Sequence, residues 1–289
     1  MEALIHQIFS GFATGGIYAT VALALVMIYQ TTHHVNFAQG EMAMFCTYLA
    51  WALIQAGVPY WGAFAITAGL GFVLGAAVER LVIRPMSNAP ILAVVVVFIG
   101  LLVIFNSMAG WIFGYTLQTF PSPFPSTGSV MGGLMSLHQL GSLGITLVML
   151  ALLFVFFRYT PWGLAMRAVA QNPASSSLVG IRVGSILGLG WGLASAVGAV
   201  AGMLVAPVVF LDPNMMMGVL LYAFAGAVLG GISSPLGAVL GGLFVGVLEN
   251  LVGFLIGNEL KLTVALVLIV AVLIFKPAGL LGKVEVSRV

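Results

Sequence analysis

Two carboxylates, Glu41 and Glu249, lie inside long apolar stretches of the sequence. An ionisable side chain at membrane depth costs about 3 kcal/mol or more, so it must face protein or a water-filled cavity. Glu249 follows Gly242 and Gly246 at spacings that place all three on one helical face, with Asn250 beside it. These groups are candidates for lining a translocation path. The alternative is hydrogen-bonded packing at a helix crossing, and the sequence leaves both open.

A second polar cluster, Asn36, Gln39 and Glu41, stands at the start of an apolar run. The spacing resembles a capping box, with Asn36 as the N-cap and Gln39 reaching back to it. Glu41 then falls in the first turns, where the positive end of the helix dipole favours a carboxylate. A helix start at the inner membrane surface explains all three residues. A translocation path explains them equally, because three polar side chains within six residues are costly at membrane depth.

The stretch 160–183 is too polar to cross a membrane. Its pattern fits a short amphipathic helix that lies across the inner membrane surface. In that interpretation Arg167 faces outwards. Leu164, Ala168 and Leu178 then face the helix bundle. The alternative is an ordinary basic loop.

Motifs that would indicate catalysis or nucleotide binding do not occur in the sequence: there is no G-x-x-x-x-G-K-[ST], no H-E-x-x-H and no G-x-S-x-G. The single cysteine, Cys46, excludes an intrachain disulfide and a multi-thiolate metal site. His33 and His34 are adjacent and cannot share a helical face as ligands, so a solvated turn is favoured over metal. We predict no catalytic residue, no metal site and no cofactor. If ATP drives this protein, a separate subunit must hydrolyse it.

The composition of the 289 residues excludes most soluble classes of protein. Hydrophobic residues make up 62% and charged residues 6%, against about 25% charged in a soluble domain. The mean hydropathy of +1.20 and the repeated apolar stretches indicate a polytopic protein embedded in a lipid bilayer. The net charge of +2 is dispersed, so nucleic acid is not a partner. A soluble enzyme and a disordered hub are excluded as well.

The apolar stretches predict an all-α helix bundle, because backbone polar groups within about 30 Å of hydrocarbon must be satisfied inside each segment. About nine segments qualify. They run approximately at Leu4–Ile28, Phe37–Ala56, Tyr60–Val78, Ile91–Phe113, Leu140–Phe157, Ile186–Val209, Val219–Gly231, Leu236–Ile256 and Leu260–Phe275. The alternative is seven spans, with Phe37–Ala56 and Val219–Gly231 re-entrant. The first segment exceeds a signal-peptide core and has no basic region before it, so we expect it to be retained.

Lysine and arginine in short loops stay in the cytoplasm, which orients the spans. With nine spans and the N-terminus outside, eight of the nine Lys and Arg fall inside and Lys261 falls outside. The eight are Arg80, Arg84, Arg158, Arg167, Arg182, Lys276, Lys283 and Arg288. The C-terminus is then inside, 114–141 is an outer loop and 160–183 is cytoplasmic. We expect 1–289 to form a single transmembrane domain.

Glycine pairs at four-residue spacing indicate how the helices associate. Apolar side chains gain little by leaving lipid for another apolar surface, so membrane helices pack through close backbone approach at small residues. Such pairs occur at Gly198/Gly202, Gly226/Gly230, Gly237/Gly241 and Gly242/Gly246. They predict a tightly packed bundle and say little about function.

The chain resembles the LivH-type integral membrane permeases of bacterial ABC importers for branched-chain amino acids. The resemblance runs nearly end to end, and the order and spacing of its motifs are those of the family. The family-like stretches are NFAQGE at 36–41, ERLVIRP at 79–85, the segments 163–181 and 226–249, and KPAGLLG at 276–282. The resemblance implies an all-α permease subunit without enzymatic activity of its own.

The resemblance further implies that 160–181 is a coupling segment, which sits in a cleft of the ATPase subunit and transmits its closure to the bundle. Residues matching the family pattern are Gly163, Ala165, Arg167, Ala168, Gln171, Asn172, Gly180 and Ile181. Leu164 stands where Arg is usual and Ser177 where Ala is, so one charged contact expected with the ATPase is missing. Ala174, Leu178 and Arg182 complete the predicted coupling residues.

The partners implied by the resemblance are a second, LivM-like permease subunit, two cytoplasmic ABC ATPase subunits that use the ATP, and a periplasmic solute-binding protein. The expected function is import of branched-chain or other hydrophobic amino acids across the bacterial inner membrane. The predicted path residues are Asn36, Gln39, Glu41, Glu249 and Asn250. Urea or short amides, the substrates of similar relatives, remain an alternative. An autonomous secondary transporter, with Glu41 and Glu249 carrying protons, is another.

Overall fold

The computed structural model describes residues 2–32, 34–87, 89–124, 129–130 and 135–282. His33, Lys283, Arg288 and parts of the predicted outer loop lie outside these residues. The described α-helices are α1 Glu2–Thr32, α2 Gln39–Gln55, α3 Tyr60–Val78, α4 Ile91–Phe113, α5 Leu137–Tyr159, α6 Pro161–Gln171, α7 Pro173–Leu178, α8 Val183–Val209, α9 Met215–Gly230, α10 Pro235–Leu255 and α11 Lys261–Phe275. The all-α prediction is confirmed, with one two-residue strand pair, β1 Ser129–Val130 and β2 Met135–Ser136, before α5.

In the described part of the chain, seven helices are long and apolar enough to cross a membrane, which indicates a multi-pass membrane protein. They are α1, α3 with the turns that extend it to Met86, α4, α5, α8, α10, and α11 with the turn before it. The two remaining predicted spans correspond to α2, with 17 residues, and α9, with 16. The count of nine and the orientation of the ends stay predictions.

The exposed surfaces of the long helices are apolar. On α4 the side chains of Val96, Ile99 and Val103 are exposed, and on α5 those of Leu147 and Leu152. A soluble protein rarely leaves apolar patches of this extent in contact with water, whereas lipid chains solvate them at little cost. By contrast, most of α1 and α8 is buried inside the protein. The two classes of helix differ as lipid-facing and interior helices of a membrane bundle do.

The residues group into two compact units, each built from separate parts of the chain. Unit 1 comprises Met1–Val26, Phe124–Thr146 and Gly218–Val289. Unit 2 comprises Met27–Pro123 and Leu147–Met217. The division passes through α1, α5 and α9, and the expectation of a single transmembrane domain stays a prediction.

Unit 2 is organised around α8, which packs against α2 and α3. A Cβ added at Gly75 of α3 would lie 2.3 Å from the carbonyl oxygen of Trp191, so the two backbones are in direct contact. Further along α8, added Cβ atoms at Gly198 and Gly202 would meet the side chains of Gln39 and Thr47. The predicted glycine pair on α8 therefore marks its crossing with α2, because only glycine leaves room there.

Unit 1 is held by glycines on α1, α9 and α10. A Cβ at Gly246 would lie 2.2 Å from Gly15 Cα, and one at Gly242 would lie 2.5 Å from Ala19 Cα. Beyond α11, the backbone N–H groups of Leu280 and Leu281 donate to the last carbonyls of α9. The KPAGLLG stretch thus caps a helix end whose carbonyls would otherwise lack partners.

Candidate functional site

The predicted coupling segment folds as two short helices between α5 and α8. The Thr160 hydroxyl accepts a hydrogen bond from the Gly163 N–H at 3.0 Å and Pro161 follows it, so α6 begins with an N-cap and a proline in the first turn. Asn172 caps α7 in the same way, accepting from Ser175 N–H at 2.9 Å. The segment ends at Gly180, whose φ of 87° suits glycine. The segment is helical, as predicted, but it forms two helices rather than one, and its position at the inner membrane surface stays a prediction.

The buried side of α6 differs from the predicted one. Gly163, Met166 and Val169 are buried, and the last two form a cluster with Ile186 of α8. A Cβ at Gly163 would lie 2.4 Å from the carbonyl oxygen of Phe156, so glycine permits the tight turn out of α5. This turn sets the rotation of α6 about its axis.

The prediction that Leu164 and Leu178 face the bundle is therefore wrong. Leu164 is 62% exposed and Leu178 is 87% exposed, while Ala168 is partly buried. Arg167 is exposed, as predicted. Seven of the 11 residues of α6 are hydrophobic, so apolar side chains occur on more than one helical face and their pattern alone does not fix which face is buried.

The other predicted coupling residues are mostly at the surface. Gln171, Asn172, Ala174, Ser177, Gly180 and Arg182 are exposed, and Ala165 and Ile181 are partly buried. Ser176, which the prediction omitted, is buried, and its carbonyl oxygen accepts from Ile181 N–H at 3.1 Å. The exposed residues form a continuous surface segment with its inner side on α8.

The predicted capping box at the start of α2 is wrong. The Asn36 side chain accepts from Ala38 N–H at 3.0 Å, and the N-cap of α2 is Ala38, without a side-chain bond. The Gln39 side chain accepts from Asn36 Nδ2 at 3.4 Å and donates to the carbonyl oxygen of Ala194 at 2.9 Å. Ala194 lies in the middle of the 27-residue α8, so α2 begins beside the middle of a candidate span. Asn36 and Gln39 are both fully buried.

Glu41 lies in the first turn of α2, as predicted, and is buried. The Asn106 side-chain nitrogen, from α4, lies 3.4 Å from Glu41 Oε2. The same nitrogen lies 2.8 Å from the carbonyl oxygen of Pro213 and 3.2 Å from Asn214 Oδ1. Asn106 thus links the carboxylate to the connection between α8 and α9.

Glu249 has a partner on each carboxylate oxygen. The Tyr18 hydroxyl donates to Oε2 at 2.7 Å, and Lys261 Nζ lies 3.2 Å from Oε1. The Tyr18 ring stacks on that of Tyr222 at a centroid distance of 5.1 Å. Four helices, α1, α9, α10 and α11, therefore meet around one carboxylate. Such satisfied geometry favours the packing interpretation of Glu249.

Asn250 also bonds locally. Its side-chain amide donates to the carbonyl oxygen of Gly246 at 3.0 Å and approaches Thr14 Oγ1 at 3.4 Å. Glu249 and Asn250 belong to unit 1, while Asn36, Gln39 and Glu41 belong to unit 2. No group of three or more His, Cys, Asp or Glu in the described part of the chain is arranged to hold a metal ion.

Sequence reasoning missed the partners of these groups. Asn106 is an isolated amide in the apolar helix α4, a signal that could have identified it. Lys261 could also have been identified, because it is the one Lys or Arg that breaks the orientation rule. Tyr18 lies 231 residues from Glu249 in the chain, and nothing in the sequence pairs them.

Comparison with known proteins agrees with this architecture. The family model described as "Branched-chain amino acid transport system / permease component" matches residues 7–273. A chain of PsaBC from Streptococcus pneumoniae, solved in complex with Fab, has a TM-score of 0.51 and 12% identity, covering 93% of this chain and 91% of that one. At that identity the likeness shows the fold alone.

Three relatives carry permease names. The high-affinity branched-chain amino acid transport system permease protein LivH of Salmonella typhimurium is 30% identical, over 99% of this chain and 97% of its own. BraD of Pseudomonas aeruginosa, described in the same words, is 29% identical over 99% and 98%. A probable LivH permease of Methanocaldococcus jannaschii is 26% identical over 91% and 87%. The chain therefore belongs to the family of permease components of branched-chain amino acid transport systems.

Proposed function

We propose that the chain is the membrane-spanning permease subunit of an ATP-driven importer for branched-chain or other hydrophobic amino acids. Family membership and the names of the relatives support the substrate class. The observation that carries the ATP-driven mechanism is the exposed two-helix segment α6–α7, anchored on α8. The chain has no nucleotide-binding motif, so energy must reach it through contact with another subunit.

The outward side of α6–α7 has the chemistry of a protein interface. The segment exposes the apolar side chains of Trp162, Leu164, Leu178 and Val179 as well as the charged side chain of Arg167. Aromatic residues, Arg and apolar side chains are enriched at the cores of protein interfaces. We assign this side to a cleft of the ATPase subunit. The exposed position of Leu164 supports an apolar contact at the point where the family resemblance implies a charged one.

The inward side of the segment provides the mechanical link. Met166 and Val169 pack against Ile186, so a force on α6 acts on the first turns of α8. α8 is largely buried and contacts α2 and α3. Because packed helices move as bodies rather than deform continuously, displacement of α6 by the ATPase would reorient α8. Alternating access then follows from the new position of α8.

The topology proposed for this role has nine crossings, with the segment 160–183 in the cytoplasm of a bacterial cell. α2 and α9 are about 25 Å and 24 Å long, short of the full hydrocarbon thickness. A crossing by α9 keeps Arg182 and Lys276 on one side, as the charge rule requires. Lys261, the exception, is paired with Glu249, which offsets its charge.

The path for the solute is proposed to include Asn36, Gln39 and Glu41. These groups lie at the interior level of α8, where a polar cluster is costly unless it serves a solute or water. Glu249 and Asn250 are proposed to contribute by holding the helices around them. A LivM-like second permease completes the membrane part, two ATPase subunits bind its inner side, and a periplasmic solute-binding protein delivers the amino acid from outside.

The test is Arg167→Glu in the importer reconstituted with its partners in vesicles. Charge reversal on the docking side should lower ATP-driven leucine uptake at least tenfold, while the permease still folds and inserts. Arg80→Glu is the matched control, since Arg80 is exposed in the turn after α3 and lies outside the segment. Undiminished uptake in Arg167→Glu, with ATPase subunits co-purifying normally, would remove the coupling assignment.

A further inference from the structure

The end of α3 contains a turn that brings two charges together. After Val78 the chain makes a π-helical turn, Glu79–Ile83, followed by a 3₁₀ turn, Arg84–Met86. In a regular α-helix, residues five apart point about 140° away from each other. The wider π turn, in which Arg84 N–H donates to the Glu79 carbonyl oxygen, places both side chains on one side. Such turns are rare and occur frequently at functional sites.

The pair is bidentate and partly shielded from solvent. Arg84 Nε lies 3.1 Å from Glu79 Oε1, and Arg84 Nη2 lies 2.6 Å from Glu79 Oε2. The Glu79 side chain is 1% exposed and that of Arg84 is 41% exposed. Two parallel hydrogen bonds between a guanidinium and a carboxylate fix the orientation of the two groups as well as the distance between them.

The same guanidinium reaches α8. Arg84 Nη2 donates to the carbonyl oxygen of Gly184 at 2.5 Å. Gly184 is the second residue of α8 and follows Arg182, the last of the predicted coupling residues. One side chain therefore joins the end of α3 to the point at which the coupling segment enters the bundle.

Two glycines of α8 make room for the pair. A Cβ at Gly184 would lie 3.1 Å from Arg84 Cζ, and one at Gly188 would lie 3.2 Å from Glu79 Oε2. The glycines are four residues apart and so share a helical face. The ion pair lies directly against the backbone of the first two turns of α8.

We propose that Glu79 and Arg84 form a clasp that holds the first turn of α8 against α3, so that motion of the coupling segment carries both helices together. Glu79 and Arg84 are positioning residues in this inference, which rests on the proposed coupling function. Without the clasp, the first turn of α8 would yield when the ATPase moves α6, and less of the displacement would reach α3. ATP would still be hydrolysed, with less transport for each ATP.

The first experiment measures leucine uptake and phosphate release on the same vesicles, containing the whole importer. Arg84→Gln should lower uptake per ATP at least fivefold, with ATPase subunits bound and hydrolysis within twofold of the wild type. Arg84→Lys keeps the charge but cannot form two parallel hydrogen bonds to Glu79, so it should restore part of the uptake per ATP. Arg80→Gln is the control, because it removes an exposed arginine from the same turn and should leave the ratio unchanged.

The second experiment does not depend on transport. Hydrogen exchange of the purified permease should show faster exchange in residues 183–188 of Arg84→Gln than of Arg80→Gln, by at least fivefold. The clasp is overturned if exchange in residues 183–188 is unchanged in Arg84→Gln. It is also overturned if Arg84→Gln takes up as much leucine per ATP as a wild type that couples uptake to hydrolysis. Wild-type vesicles that take up no leucine would instead count against the proposed function, and exchange would still decide the clasp.

A milder variant guards against misfolding. Glu79→Gln keeps the size of the side chain but removes the charge that pairs with Arg84, and should lower the same ratio and speed the same exchange. Glu259→Gln, at an exposed carboxylate in the turn before α11, is its control. If Arg84→Gln fails to assemble, equal behaviour of these two glutamine variants overturns the clasp.

Discussion

Glu249 shows how a carboxylate is accommodated among apolar helices. Its two oxygens bind the Tyr18 hydroxyl and the Lys261 ammonium, which come from the first and the last described helices. A charge buried with a hydrogen-bonded partner avoids most of the desolvation penalty that an isolated charge would carry. Glu249 therefore links three helices, and its removal should lower the stability of the folded protein.

Glu249→Ala should destabilise the folded permease. Removing the carboxylate leaves Lys261, which is only 25% exposed, without its counter-ion, at a cost of about 1–3 kcal/mol. A lower thermal midpoint in detergent is the expected measurement. Glu259→Ala is the matched control, because Glu259 is an exposed carboxylate in the turn before α11 and should leave the midpoint unchanged. Equal midpoints in the two variants would contradict the structural role.

For single residues, the sequence predicted that a side chain is buried but did not predict which residues it contacts. Glu41 and Glu249 stood out because each is a charge in an apolar run, and both are largely buried. Their partners could not be predicted, because Asn106 lies 65 residues from Glu41 and Tyr18 lies 231 from Glu249. Pairing at such separations is decided by helix packing, which the local spacing of residues in the sequence does not reveal.

At the scale of elements, the crossing of α1 and α10 depends on backbone contact. The added Cβ at Gly246 lies 2.2 Å from Gly15 Cα, below any real contact distance. Helices in lipid gain stability from such close approach, because dispersion contacts and polar bonds replace the hydrophobic effect between them. The spacing of Gly242 and Gly246 predicted a crossing, and the structure identifies its partner as α1.

Gly246→Ala should force α1 and α10 apart and cost about 1–3 kcal/mol, as overpacking does in well-packed cores. The check is the thermal midpoint of the purified protein, which should fall by several degrees. Gly144→Ala on α5 supplies the comparison, since an added Cβ there meets nothing within 4 Å. A glycine-to-alanine change at an open helical site is neutral or stabilising by up to about 1 kcal/mol. A fall of equal size in both variants would show that crossing geometry is not the cause.

Some elements could be read from local sequence and others could not. Thr160-Pro161, Asn172-Pro173 and Ser234-Pro235 each begin a helix with a capping side chain and a proline, because both effects act within one turn. The rotation of α6 depends on the turn at Gly163, and the start of α2 depends on its contact with Ala194. Those are tertiary contacts, so the buried side of α6 and the capping of α2 were mispredicted.

For the whole molecule, the set of helices that cross the membrane decides on which side each connection lies. Among the described helices, seven meet the length and hydropathy that crossing requires, while α2 and α9 are shorter. If α9 crosses, four helices separate the coupling segment from the chain that follows α11, and both lie on one side. If α9 turns back, only α8, α10 and α11 cross, and the two regions lie on opposite sides.

Single-cysteine labelling distinguishes these topologies. Cys46 is buried, so Cys46→Ala provides a cysteine-free background into which exposed positions are changed one at a time. The probes are Leu117→Cys after α4, Leu178→Cys in the coupling segment and Leu280→Cys after α11, all at exposed side chains. A membrane-impermeant maleimide on intact cells should label only Leu117→Cys, and permeabilised cells should add the other two. External labelling of Leu280→Cys together with Leu117→Cys, but not of Leu178→Cys, would mean that α9 does not cross. External labelling of Leu178→Cys would place the coupling segment out of reach of any cytoplasmic ATPase.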